Sequence, residues 1–219
     1  MKFCIPLACL LIGFISRSPA AESAEYQPEL FKSIRLVYED SFDGDLNPKF
    51  WEVRQSSTWV VEGGVLKGSE SSRAFQKKML DKGDKAHAGL KPVIWLKQVP
   101  ENFVCKMRMR YNAESYHPRF PLLDVGHHIH TLIFAEKATT LKIKKNVETK
   151  VVEEPLLPLN QWVDVTIELK KGVLLLKIGD KKHIFESPEI DMAGHHQIDF
   201  KGVDFGSCEI DHLRLWEGK

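Results

Sequence analysis

The chain reads as an all-β protein, a two-sheet antiparallel jelly-roll sandwich with one short helical turn. Three observations predict this. Short stretches rich in Val, Ile, Leu, Trp and Phe recur from Leu36 to Trp216, separated by Gly, Asn, Asp or Pro, as expected of many short strands joined by turns. Residues 162–170 alternate strictly: Val163, Val165, Ile167 and Leu169 take one side, and Asp164, Thr166, Glu168 and Lys170 the other. That period of two belongs to a sheet with one face on a core and one in water. No stretch of helical period runs longer than about two turns.

Residues 1–20 have the form of a signal peptide. Lys2 opens it, residues 3–15 are apolar but short for a membrane span, and Ser18-Pro19-Ala20 supplies small residues before a cleavage point. This predicts export to the periplasm or the cell exterior, with no membrane attachment after cleavage. Residues 21–35 form a polar lead-in, and residues 36–217 a single β-sandwich domain.

Within the domain, residues 36–42 make the first strand. Asn47-Pro48 then reads as a helix cap followed by a first-turn proline, opening one helical turn through Trp51. Residues 58–61 and 65–68 flank Glu62-Gly63-Gly64, a glycine turn suited to a hairpin. Lys171-Gly172 and Gly179-Asp180 turn the alternating strand into two more, at 173–178 and 181–185. Further strands are expected at 93–97, 103–111, 127–135, 141–145, 197–203 and 208–216. Residues 83–89 and 112–121 read as loops.

Charge and cysteines bound the partners. The 219 residues carry 31 basic and 30 acidic side chains. Loss of residues 1–20 removes Lys2 and Arg17, leaving 29 basic residues against 30 acidic ones. A near-neutral surface gives no reason to expect nucleic acid or an anionic membrane. Only Cys105 and Cys208 remain after the leader. In an oxidising compartment they either form one disulfide across a long loop or stay as two buried thiols.

The order Phe42, Trp51, Trp59-x-Val61-x-Gly63, then Gln161-Trp162-x-x-Val165-x-Ile167, then Ile210-Asp211-x-Leu213-x-Leu215 resembles concanavalin A-like jelly rolls. It is most similar to the secreted bacterial domains described as 3-keto-disaccharide hydrolase-like, or family 16 glycoside hydrolase-like. The resemblance covers about residues 36–217. It implies a sandwich with a concave face for sugars and hydrolysis of modified disaccharides. Its motifs are turns, core tryptophans and strand ends, which specify architecture rather than reaction. The family 16 glycosidases carry Glu-x-Asp-x-x-Glu on one strand, placing two acids beside the glycosidic bond. Here Glu189-Ile190-Asp191 and Glu209-Ile210-Asp211 both lack the final acid, so the paired-acid mechanism is not expected.

Other residues carry candidate chemistry. Gly126-His127-His128-Ile129-His130, read as strand, puts His128 and His130 on one side about 6.5–7 Å apart, within reach of one ion. No cofactor is otherwise expected; a divalent metal on His128 and His130 would need a third ligand such as Asp124, His87 or His117. The competing reading is two hydrogen-bonded histidines on a polar sheet face. Residues 103–111 set Lys106, Arg108 and Arg110 opposite Cys105, Met107 and Met109. A sugar-binding face is therefore expected to collect Arg108, Arg110, His128, His130, Asp164 and Glu168. Against it stands a solvated face of cross-strand ion pairs. Trp95, Tyr116 and Phe120 are the candidate aromatic platforms, and Trp95 completes the expected binding set. The sequence thus predicts an exported domain that recognises carbohydrate. The alternative is a non-catalytic binding or structural module contacting protein.

Overall fold

A computed structural model describes residues 26–219. The leader, and with it the start of the lead-in, lies outside the described residues. The strands in chain order are β1 (Ile34–Asp40), β2 (Trp51–Val53), β3 (Ser57–Glu62), β4 (Val65–Ser71) and β5 (Val93–Lys97). Next come β6 (Phe103–Asn112), β7 (Leu122–Val125), β8 (His130–Phe134), β9 (Thr139–Ile143) and β10 (Glu148–Val152). The last are β11 (Val163–Lys170), β12 (Val173–Ile178), β13 (Lys181–Glu186), β14 (Gln197–Lys201) and β15 (Ser207–Gly218). They form two antiparallel sheets. One runs β13-β12-β11-β6-β15-β4-β3, with β1 also on β15; the other runs β10-β9-β8-β7-β14-β5-β2. The molecule is a jelly-roll sandwich.

Alternation places the core between the layers. Cys105, Met107 and Met109 of β6 and Val165, Ile167 and Leu169 of β11 meet Ile94, Leu96, Leu123, Leu132, Ile198 and Phe200 from the other sheet, all essentially inaccessible. Burial on this scale is the main term favouring the fold. Trp51 belongs to the core, with its indole N–H shared between Tyr38 Oη and Asp40 Oδ2, each at 3.1 Å. Gly68 has a specific reason to be glycine: a Cβ there would stand 2.5 Å from the Trp59 indole.

The Asn47-Pro48 turn forms as expected, closed by the Phe50 and Trp51 N–H groups on Asn47 O at 3.0 and 2.9 Å. The longer helix α1 (Arg73–Asp81), capped by Ser72, is absent from the sequence reading. Its only fully buried residue is Gln76, and at nine residues it runs little more than two turns, too short for its period to stand out. β7 and β10 were also not expected. β7 is buried along its whole length, so its Leu-Leu-Asp-Val run does not show a clear inside and outside.

One open alternative is decided and one expectation needs correction. Cys105 pairs with Leu215, whereas Cys208 pairs with Tyr111, six residues further along β6. That separation is about 20 Å, far beyond disulfide reach, and both thiols are free and buried. Burial pushes the Cys105 thiol up to about 12. Second, the outward positions of β11 are not all in water. Thr166 and Glu168 are buried, because residues from Tyr26 onward lie across this face. Tyr26, Leu30 and Phe31 pack on Val104 and Trp216 in a small second apolar cluster.

Candidate functional site

The outward-facing positions of the second sheet line up across its strands. Trp95 on β5 stands opposite Asp199 on β14, Asp199 opposite Asp124 on β7, and Asp124 opposite Thr131 on β8. Directly opposed residues on one face lie close enough for their side chains to touch. Lys201, two residues beyond Asp199, shares that face by the period of two. Trp95, Asp124, Thr131 and Lys201 line a cleft of about 710 Å³ together with Phe120, His127 and His128, and Asp199 lies buried beneath it.

The floor is a compact charge network. The Lys201 ammonium donates to Asp124 Oδ2 and sits 3.4 Å from Asp199 Oδ2. Thr131 Oγ1 donates to Asp124 Oδ1, and His128 Nδ1 lies 3.2 Å from Asp124 Oδ2. Both carboxylates are fully inaccessible. Burial acts to raise the Asp124 carboxyl, but the His128 hydrogen bond, the Lys201 charge and Thr131 outweigh it and bring it down to about 2. It therefore stays ionised at any ordinary pH.

The turn between β7 and β8 aims the imidazoles. Gly126, His127 and His128 all take positive φ, at 74°, 36° and 68°, and Ile129 N–H closes on Gly126 O at 3.0 Å. Consecutive left-handed residues with side chains are costly and persist only where surroundings hold them. Here the surroundings are partners. His127 Nδ1–H donates to Asp199 Oδ2 at 2.8 Å, and its ring meets the Trp95 indole edge-on at 4.7 Å between centroids. Asp199 is in turn held by Gln197 Nε2 at 2.8 Å. Since a carboxylate only accepts, the neutral His127 carries its proton on Nδ1. Nε2 is then the atom left to exchange a proton with an occupant of the cleft.

The sequence-predicted residues divide between the two sides of the sandwich. Trp95 and His128 lie in the cleft, as does Phe120. Tyr116 does not line it; its hydroxyl donates to Leu157 O at 2.7 Å. The expected pairing of His128 with His130 on one strand face fails because residues 126–129 form a turn rather than strand. His130 is buried at the end of the core, donating from Nε2 to Asp191 O at 2.6 Å and accepting from Lys144 N–H at Nδ1. Burial lowers its pKa, so it is held neutral. Among the described residues, no group of three or more His, Cys, Asp or Glu side chains is placed to hold a metal ion.

Arg108, Arg110 and Asp164 lie on the other sheet, facing away from the cleft, because β6 and β11 pair with each other and not with β7 or β8. Arg110 is held by Glu209, with Nε at 2.9 Å, and both guanidinium groups rest over Trp162. Arg108 lies 3.8 Å from both Asp164 and Asp211. Glu168 is occupied by the N-terminal segment: it accepts from Tyr26 Oη at 2.7 Å, Glu29 N at 3.0 Å and Leu30 N at 2.8 Å. The single saccharide face expected from these residues is therefore split, with four of them on the far side or beneath another segment.

Sequence reasoning missed Asp199, Lys201, Thr131 and His127. The signal for Asp199 and Lys201 was present in Gln197-Ile198-Asp199-Phe200-Lys201, polar positions alternating with core residues. What alternation cannot report is which strand lies alongside.

No protein-family model and no curated protein matches the chain. Solved structures do. The cellulose-induced protein Cip1 superposes with a TM-score of 0.57 at 12% identity, covering 82% of this chain and 96% of its own. Domain 4 of AbnA, an extracellular arabinanase from Geobacillus stearothermophilus solved with arabinotriose, gives 0.53 at 11%, with 84% and 93% covered. The catalytic domain of an endo-1,3-beta-glucanase (laminarinase) from Thermotoga petrophila gives 0.51 at 11%, with 85% and 99% covered. At these identities the likeness establishes the fold, and the chemistry rests on the residues themselves.

Proposed function

We propose that the cleft over the second sheet binds carbohydrate, and that the chain is an exported carbohydrate-recognising jelly-roll protein. The observation that carries this is the in-register row Trp95–Asp199–Asp124–Thr131 beneath His127 and His128. It sets an aromatic wall beside the accessible polar groups of His127, His128 and Thr131, with the two carboxylates buried beneath as their support, the two things a pyranose offers partners for. Similarity to structures whose names concern glucans and arabinan supports the same reading, and the apolar leader supports export.

Within this reading, the finer proposal is a 3-keto-disaccharide hydrolase-like activity. Asp124 and Asp199 do not suit a paired-acid glycosidase, since Lys201 already binds both. The group suited to proton transfer is His127, oriented by Asp199 as a base is oriented by a carboxylate in a dyad. A sugar bearing a 3-keto group has an acidic C–H beside the carbonyl, which an imidazole can remove.

A glycan array paired with a turnover screen on ordinary and 3-keto disaccharides tests both levels, with Trp95→Ala run alongside. Binding lost in Trp95→Ala, without turnover, selects a binding module. Turnover selects the enzyme. Silence on every sugar sinks the carbohydrate reading and leaves a module that contacts protein.

A further inference from the structure

We propose that the cleft, with the groove that continues it, takes an acidic carbohydrate: a chain of sugar units carrying carboxylate or sulfate groups. This rests on the carbohydrate reading and names its ligand class.

The charge pairing on this surface is unequal. Three cations around the cleft are matched by carboxylates: Arg54 by Glu52 at 2.6 Å, Lys91 by Asp204 at 3.0 Å, and Lys201 by Asp124 and Asp199. Lys85 and Arg119 also line the cleft and make no ion pair among the described residues. A second cavity of about 370 Å³ adjoins the first, sharing Arg119, Phe120, His128 and Thr131. It adds Lys142 and Lys145, and no Asp or Glu lines it. Neither lysine makes an ion pair among the described residues. Four unmatched cations thus follow one path, with every carboxylate of the floor buried and already neutralised. Over the whole chain the charges nearly cancel, 31 against 30, so this excess is a local property of the groove. Such a surface draws anions and loses them to salt.

Two of the paired cations also rest on the aromatic groups. The Arg54 guanidinium lies 4.0 Å from the Trp95 ring centroid and the Lys91 ammonium 4.3 Å from that of Phe120. A sugar ring meeting either aromatic meets a cation with it. The path also has length. Thr131 opposes Lys142 on β9, so the row from Trp95 to Lys142 crosses four strand spacings, about 19 Å. That accommodates several sugar units. Nucleic acid is the competing polyanion, and an oligonucleotide is therefore one arm of the test. Thr131, His127 and His128, which line the cleft, suit hydroxyl groups.

Calorimetric titration of the whole processed protein tests this with five probes: a polygalacturonate oligomer, the same oligomer after carboxyl reduction, sulfated dextran, plain dextran, and a single-stranded oligodeoxynucleotide. The expected result is binding of an acidic oligosaccharide that weakens with added NaCl and is at least tenfold tighter than its neutral counterpart. The better of the carboxylated and sulfated probes identifies the acidic group. Combining Arg119→Ala, Lys142→Ala and Lys145→Ala should weaken binding about tenfold and flatten its salt dependence. Arg108→Ala with Arg110→Ala, on the far face, should change neither. Equal binding of the neutral oligomer overturns the acidic ligand while sparing the carbohydrate reading. Failure of every sugar overturns both. Oligonucleotide binding as tight as the acidic sugar, and indifferent to Trp95→Ala, overturns the proposal in favour of a general polyanion surface.

Discussion

His127 and Asp199 are joined by a 2.8 Å hydrogen bond although they come from a turn and from a strand 72 residues later. The carboxylate holds the ring in the Nδ1–H tautomer and so leaves Nε2 as the reactive atom. Replacing Asp199 with Asn removes the charge without removing the bulk. Nitrogen-15 spectra of the imidazoles should show neutral His127 as Nδ1–H in the native protein and as a mixture in Asp199→Asn. On any sugar that is turned over, His127→Ala should lower kcat by 10²- to 10⁴-fold. A native Nε2–H tautomer would remove the dyad.

The Asp124–Lys201 pair should dominate local stability. Their side chains are 1% and 10% exposed, so removing one leaves the other in a poorly solvated place. Asp124→Ala should cost roughly 3–5 kcal/mol in urea unfolding. The double change Asp124→Leu with Lys201→Met should recover at least half of that, since two apolar groups need no partners. If the single substitution costs under about 1 kcal/mol, the pair is not buried as described.

Acid should weaken the fold in two stages. His130 is held neutral and below its ordinary value, 6.5, by burial. Above that value both folded and unfolded chains carry it neutral, so it contributes nothing; below it only the unfolded chain takes up the proton, and stability falls. Asp124 titrates at about 2 rather than 3.8. Its contribution, on the order of 2 kcal/mol, is present above about pH 4 and is lost as pH falls toward 2. Unfolding curves taken from pH 7 to pH 2 should show both losses. Asp124→Asn should flatten the lower one and His130→Gln the upper.

Glu168 belongs to the N-terminal segment rather than to a ligand. Glu168→Gln keeps the shape but removes one acceptor oxygen and the charge that gathers Tyr26 Oη and the Glu29 and Leu30 amides. A loss of about 1–3 kcal/mol is expected, with faster hydrogen exchange confined to residues 26–33 and unchanged sugar binding. Weakened sugar binding would return this face to the site.

Much of the architecture was legible in the sequence. The alternation through β11, the Lys171-Gly172 and Gly179-Asp180 turns and the Asn47-Pro48 turn all reflect forces acting within a few residues of one another. Helix α1 and strand β7 were not legible, and each for a physical reason. The first is little more than two turns long, and the second is covered on both faces, so neither shows a clear period in hydrophobicity.

The chain by itself determined that it would fold as two β layers, because side chains two residues apart must leave a strand on the same side. It also determined that Trp95 would turn away from Ile94 and Leu96. Only the tertiary structure decided which strands lie together, and therefore that Asp199 faces Asp124 while Arg108 looks out from the opposite layer. Strand partnership is set by burial and backbone pairing between segments far apart in sequence, and that information is not carried by either strand alone.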